Sequence, residues 1–231
     1  MQHSQPMTMP KRPAVVALDI VETVFALEPL SAKFKAAGLR ADALRLFFAQ
    51  MLRDAFALEA SGVYRPFRTV ASASLEVLMA SRGLSPDKAK IDAVLAGFGE
   101  LPAHPDVAPG LEKLRSAGIR LIALTNGSAE TTGALLKRAG LAVERIVSID
   151  EVQRWKPNRE IYLHAAKLCA VEPERMALVA AHAWDVHGAK RAGLCGAWLM
   201  RQEKAYHPAM LPPDVTGASM SEVATALLAL P

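Results

Sequence analysis

Cysteine is almost missing from this chain: Cys169 and Cys195 are the only two among 231 residues, and each sits in an apolar stretch. With no CxxC pair, zinc and dithiol chemistry are not expected, and both thiols read as reduced core residues of a cytoplasmic protein. Long hydrophobic runs are also missing. None approaches the roughly 18–20 residues that span a bilayer, and the opening Met1–Ala14 lacks the apolar centre of a signal peptide. Basic runs are missing too: 27 Lys and Arg against 23 Asp and Glu leave +4, scattered along the chain. Neither a membrane nor a nucleic acid is therefore an expected partner. There is no GxGxxG or P-loop pattern to imply a nucleotide, and no internal repeat. What is present is 52% hydrophobic and 22% charged residues. That composition suits one large or two small globular domains at roughly 100–200 residues each.

Residues 1–12 are polar, hold two prolines and are expected to form a disordered tail. The run Pro13-Ala-Val-Val-Ala-Leu-Asp-Ile20 then reads as a strand buried on both faces. From 26 to 98 the texture is helical, with Leu44, Phe47, Phe48, Met51, Leu52, Ala55 and Phe56 at helical spacing. After Pro105 helices and strands alternate. Strands are predicted at Arg120–Thr125, near Arg145–Ser148, at Met176–Ala180 and at Gly196–Met200. The helices before the first, second and fourth of these strands end at Gly118, Gly140 and Gly193, where glycine suits a left-handed cap. The alternation predicts an α/β fold, a doubly wound parallel sheet with an inserted helical cap. Residues 13–25 and 99–231 would form the core and 26–98 the cap.

In such a sheet, ligands bind beyond the carboxyl ends of the strands. Polar residues collect there: Asp19 with Thr23, then Thr125-Asn126-Gly127-Ser128, then Lys156, then His182 and Asp185. Any one of these alone would be an ordinary loop or capping residue. Four strand ends carrying them in this order form a candidate site. His182 and His187 are five apart, a poor spacing for one metal site on a helix, so zinc is not expected.

The segments Asp19-Ile-Val-Glu-Thr23, Leu124-Thr-Asn-Gly-Ser128, Trp155-Lys-Pro-Asn-Arg-Glu-Ile-Tyr162 and Val179-Ala-Ala-His-Ala-Trp-Asp185 together resemble the four motifs of the haloacid dehalogenase (HAD) superfamily. Within it they look most like the L-2-haloacid dehalogenase branch. The resemblance implies a HAD-like Rossmannoid core, Asp19 as nucleophile, and Thr23, Thr125, Lys156 and Asp185 as further catalytic residues. It implies substrate-binding roles for Val21, Phe47, Phe48, Asn126, Gly127, Tyr162, His182 and Trp184. It brings with it a small anionic substrate and a possible homodimer. The physical roles fit: a fixed carboxylate splits hydrolysis into two easier steps. A lysine at about 4 Å would hold that carboxylate charged, with roughly 4 kcal/mol of attraction before desolvation.

The phosphatase branch of the superfamily uses a second Asp two residues after the nucleophile and an acidic pair for Mg²⁺. Here those places hold Val21, which carries no proton, and Ala180, which offers no ligand oxygen. A halide leaves without a proton. The expectation is therefore metal-independent hydrolysis of a small 2-haloacid to a 2-hydroxyacid through an aspartyl ester, with no cofactor. The alternatives are a phosphate-ester hydrolase using Mg²⁺ and a non-catalytic binding protein. Three positions depart from the dehalogenase pattern. Glu22 replaces the usual glycine, His182 the usual asparagine, and a phenylalanine of Leu46-Phe-Phe-Ala-Gln50 the arginine that receives the halide.

Overall fold

The apolar run after Pro13 becomes β1 (Val15–Leu18), every residue of it buried, because parallel neighbours lie on both sides. The computed structural model describes residues 10–40 and 42–231. The tail expected at 1–12 thus lies outside the described residues except for 10–12, where the Arg12 N–H meets the Pro231 carbonyl at 2.7 Å. The other strands are β2 (Arg120–Thr125), β3 (Arg145–Ser148), β4 (Met176–Ala180), β5 (Cys195–Leu199) and β6 (Val215–Gly217). All pair in parallel in the order β3-β2-β1-β4-β5-β6. The chain walks outward from β1 to β3, returns to β4 on the other side of β1, and walks outward again. This reversal opens a crevice at the carboxyl ends of β1 and β4, the place where doubly wound sheets bind ligands.

Nine α-helices are found among the described residues: α1 (Ser31–Ala36), α2 (Ala43–Ala60), α3 (Phe67–Ser81), α4 (Lys88–Ala96), α5 (Val107–Ser116), α6 (Ala129–Arg138), α7 (Arg159–Leu168), α8 (Ala183–Arg191) and α9 (Met220–Leu228). Right-handed crossovers to either side of the reversal send helices to opposite faces of the sheet. Of the helices that flank the sheet, α5 packs on α9 and α7 on α8. The first four helices fall between β1 and β2. On α2, Leu44, Phe47, Met51 and Ala55 form the buried stripe that the helical spacing predicts. The chain leaves toward these helices and comes back from them at one point. There the Ala26 N–H meets the Pro102 carbonyl at 2.9 Å, and the His104 N–H meets the Val24 carbonyl at 2.9 Å.

Candidate active site

Asp19 is the first residue past β1. Its backbone N–H bonds the Val179 carbonyl at 3.0 Å, which fixes the strand end against β4. Both carboxylate oxygens are engaged: Oδ1 accepts from Lys156 Nζ at 2.8 Å and Oδ2 from the Thr23 hydroxyl at 2.6 Å. Thr23 Oγ1 in turn accepts the Ala181 N–H at 2.9 Å, so one hydroxyl ties the turn after β1 to the end of β4. Lys156 is completely buried and gives a second bond to Asp185 Oδ2, also at 2.8 Å. Asp185 Oδ1 accepts from the Tyr162 hydroxyl at 2.5 Å.

Burial alone would push the Lys156 ammonium down. The charges of Asp185 and Asp19, with the hydrogen bonds to both, outweigh it and hold the group above the ordinary lysine value. Burial and the charge of Asp185 raise Tyr162 well above an ordinary phenol, which keeps it a donor. Burial likewise raises Asp185, with Lys156 opposing and Asp19 adding to the rise. A lone buried ammonium would cost several kcal/mol; two carboxylates make this one tolerable.

The loop that carries Lys156 is held from two sides. The Lys156 N–H meets Asn126 Oδ1 at 3.1 Å. From the end of α2, Glu59 accepts the Trp155 N–H at 2.9 Å and the Asn158 side-chain amide at 2.7 Å. Ser128 caps α6 by accepting the Thr131 N–H at 3.1 Å, which sets the turn holding Asn126 and Gly127.

A small cavity opens beside Asp19, about 30 Å³ where one water needs roughly 10–15 Å³. Its polar wall is Asp19, Thr125, Asn126 and Gly127; His182 stands at one side, and Val21, Phe48, Met51, Leu52, Phe67 and Trp184 make the rest apolar. A larger open groove of about 410 Å³ lies between Gly38, Met79 and the start of α4 and is lined by none of these groups.

Most of the residues singled out in the sequence meet here: Thr23, Lys156 and Asp185 stand behind Asp19 in its hydrogen-bond network, and of the residues expected to bind substrate two do not line the cavity. Phe47 is fully buried against Phe34, ring centres 5.3 Å apart, inside the helical block. Neighbouring helix residues point about 100° apart, so only one of the two phenylalanines can face the site, and it is Phe48. Tyr162 is also fully buried and stands behind the cavity, acting through Asp185. Arg45 and Arg53 are exposed on the outer side of α2, so neither supplies the cation missing from the lining. The sequence reading passed over Met51, Leu52 and Phe67 as cavity wall, although Met51 and Leu52 follow Phe48 by three and four positions. It also passed over Glu59 and Glu203, whose partners are about a hundred and about twenty residues away and leave no local signal.

His182 takes a definite place: Nε2 lies 2.8 Å from Glu22 and Nδ1 lies 3.0 Å from Glu203. Its ring is stacked on Trp184 at 5.6 Å and tilted toward Phe48 at 6.4 Å. As for a metal, no group of three or more His, Cys, Asp or Glu with metal-binding geometry exists among the described residues. The donor set does not fit Mg²⁺: Asp19 and Asp185 face one cation already, the Lys156 ammonium, while Val21 and Ala180 add no oxygen. Among the described residues no helix is long and apolar enough to cross a membrane.

Residues 14–193 match a family model described as haloacid dehalogenase-like hydrolase. (S)-2-Haloacid dehalogenase 4A of Burkholderia cepacia is 30% identical over 168 residues, 71% of this chain and 73% of that protein. (S)-2-Haloacid dehalogenase 1 of Pseudomonas sp. (strain CBS-3) is 29% identical over 171 residues, 73% of this chain and 75% of that protein. The solved structure of L-2-haloacid dehalogenase from Xanthobacter autotrophicus with chloropropionic acid covalently bound superposes with a TM-score of 0.87. It covers 94% of this chain and 99% of its own at 20% identity, which shows a shared fold.

Proposed function

Since the chain belongs to the haloacid dehalogenase-like hydrolase family, we propose that it hydrolyses the carbon–halogen bond of small 2-haloacids without a metal. One observation carries this reading: the Lys156 ammonium bridges Asp19 and Asp185 at 2.8 Å from each and balances their charge, while Val21 and Ala180 bring no further oxygen to the site. Asp19 attacks the halogen-bearing carbon. A C–O ester bond forms, the carbon–halogen bond breaks, and the halide leaves with the electron pair. Water then adds to the ester carbonyl and the ester C–O bond breaks; one water proton ends on the 2-hydroxyl of the released acid, the other passes to solvent, and Asp19 returns as a carboxylate.

Lys156 and Thr23 orient the nucleophile, which supplies the proximity advantage. Asp185 holds Lys156; both its oxygens are occupied by Lys156 and Tyr162, so its part is in the charge network. Thr125, Asn126 and Gly127 lie where α6 begins, and the positive end of that helix suits the substrate carboxylate. The leaving halide faces Phe48, Met51, Leu52, Phe67 and Trp184; it needs no proton, so Val21 is no handicap. We read residues 13–25 and 99–231 as a core and 26–98 as a cap, a division supported by the bonds that join 24–26 to 102–104. The buried, unpaired cysteines suit a reducing cytoplasm.

The test is halide release from L- and D-2-chloropropionate, bromoacetate and fluoroacetate in EDTA. Wild type should release halide, and Asp19→Asn should fall by on the order of 10⁴-fold or more. Silence on all four, with phosphate released from a phosphomonoester only when Mg²⁺ is added, would overturn the proposal.

A further inference from the structure

We propose that Glu22, His182 and Glu203 form a positioning clamp for the nucleophile: the two carboxylates hold the imidazole ring across the cavity wall, and the ring locks the turn from which Thr23 grips Asp19. The kinetic part of this proposal rests on the reading above, while the geometric part stands without it.

Glu22 has a φ of 68°, in the left-handed region that favours glycine. A side chain there is strained unless its surroundings hold it. Glu22 is nonetheless 8% exposed, and its carboxylate is 2.8 Å from His182 Nε2. The next residue, Thr23, donates to Asp19 Oδ2 at 2.6 Å. The backbone twist at Glu22 therefore sets the direction from which the nucleophile is held.

The other half of the clamp comes from the loop after β5. Glu203 meets His182 Nδ1 at 3.0 Å with one oxygen, and the Ala183 N–H reaches its other oxygen at 3.2 Å. Two residues earlier on the same loop, the Arg201 guanidinium gives 3.1 Å and 3.3 Å bonds to the Thr23 carbonyl and a 2.8 Å bond to Asp106. One loop thus restrains both residues of the turn, Thr23 directly and Glu22 through His182. Two positions that break the dehalogenase pattern, Glu22 and His182, are in contact and form one device.

The charged groups around the ring are Glu22 from the turn after β1, Asp19, and Glu203 from the loop after β5; α2 and α8 set the rings of Phe48 and Trp184 against it. Burial works against charge on this ring. The hydrogen bonds to Glu203 and Glu22, and the charges of Glu22 and Asp19, outweigh it and push His182 up to about 10. His104 and His187 move the opposite way, mainly through burial.

The first measurement is ring titration of the six histidines by heteronuclear NMR on the full chain. One imidazole should stay protonated past pH 9 and vanish from the spectrum of His182→Asn. In Glu203→Gln its midpoint should drop by about 1–3 units. If all six rings deprotonate below pH 8, the clamp does not exist, whatever the enzyme's activity. The second measurement is steady-state kinetics. Glu203→Gln changes no shape, and this side chain is 35% exposed, so the variant should fold. Its kcat should fall about 10- to 100-fold with KM little changed, because nucleophile placement suffers more than binding. It should also gain a pH limb on which activity declines as the freed imidazole loses its proton. Glu22→Gly keeps the backbone twist without strain and removes only the anchor, so it should show the same kcat loss. Normal kcat in both variants would mean that the turn holds itself and the clamp positions nothing.

Discussion

Lys156 is fully buried between two carboxylates, which makes its charge matter both for folding and for chemistry. Lys156→Met should leave Asp19 and Asp185 facing each other unpaired, destabilising the chain by about 3–5 kcal/mol. Halide release should fall by on the order of 10³-fold, as when a preorganised electrostatic partner is lost. Thermal denaturation and turnover of the variant check both, and a loss below tenfold in rate would show that the charge is not needed. At this scale the sequence is readable where motif position decides which residues meet, as for Asp19, Thr23, Lys156 and Asp185, which join in one hydrogen-bonded network. It was not readable where orientation decides. Phe47 and Phe48 are equivalent in a string of letters, and only the direction of α2 separates a core ring from a cavity wall.

Between elements, the closest packing near the site is where α8 passes the Lys156 loop. A Cβ on Gly188 would lie 2.5 Å from Pro157 Cβ, 2.8 Å from Tyr162 Oη and 2.9 Å from the Pro157 carbonyl oxygen. Gly188→Ala should therefore shift the loop and loosen the grip of Tyr162 on Asp185. We expect a stability loss of about 1–3 kcal/mol by overpacking, together with a fall in kcat. An unchanged melting temperature and kcat would show that the loop yields freely. The elements themselves were mostly legible. β2, β3 and β4 lie at the residues predicted, and β5 begins one residue early, because apolar runs between glycine-capped helices give a strong signal. β6 and α9 went unread: a three-residue strand after a loop with Pro208, Pro212 and Pro213 carries no periodicity. That same loop brings in Arg201 and Glu203, so the unread stretch includes half of the clamp.

For the whole molecule, His182 links fold stability to pH. Its folded value, about 10, lies above the roughly 6.5 of an unfolded histidine. The clamp's contribution is therefore complete below about pH 6.5 and is lost as pH rises toward 10. The stability difference between wild type and His182→Asn should shrink across that window, as read by denaturant unfolding at a series of pH values. A difference constant from pH 6 to pH 10 would contradict the link. Glu59 joins the helical block to the Lys156 loop through two hydrogen bonds, at 2.9 Å and 2.7 Å.

What the sequence determined by itself was the sheet class, the helical insertion and the four strand-end motifs. Each is written in short stretches whose hydrophobic period or residue order is local. The tertiary structure alone decided which side chains share a cavity, which phenylalanine faces it, and that Glu22, His182 and Glu203 meet. These depend on the β1–β4 reversal and on a loop that returns from β5. Contacts between residues about 160 positions apart, such as Glu22 with His182, leave no periodic trace in the chain that makes them.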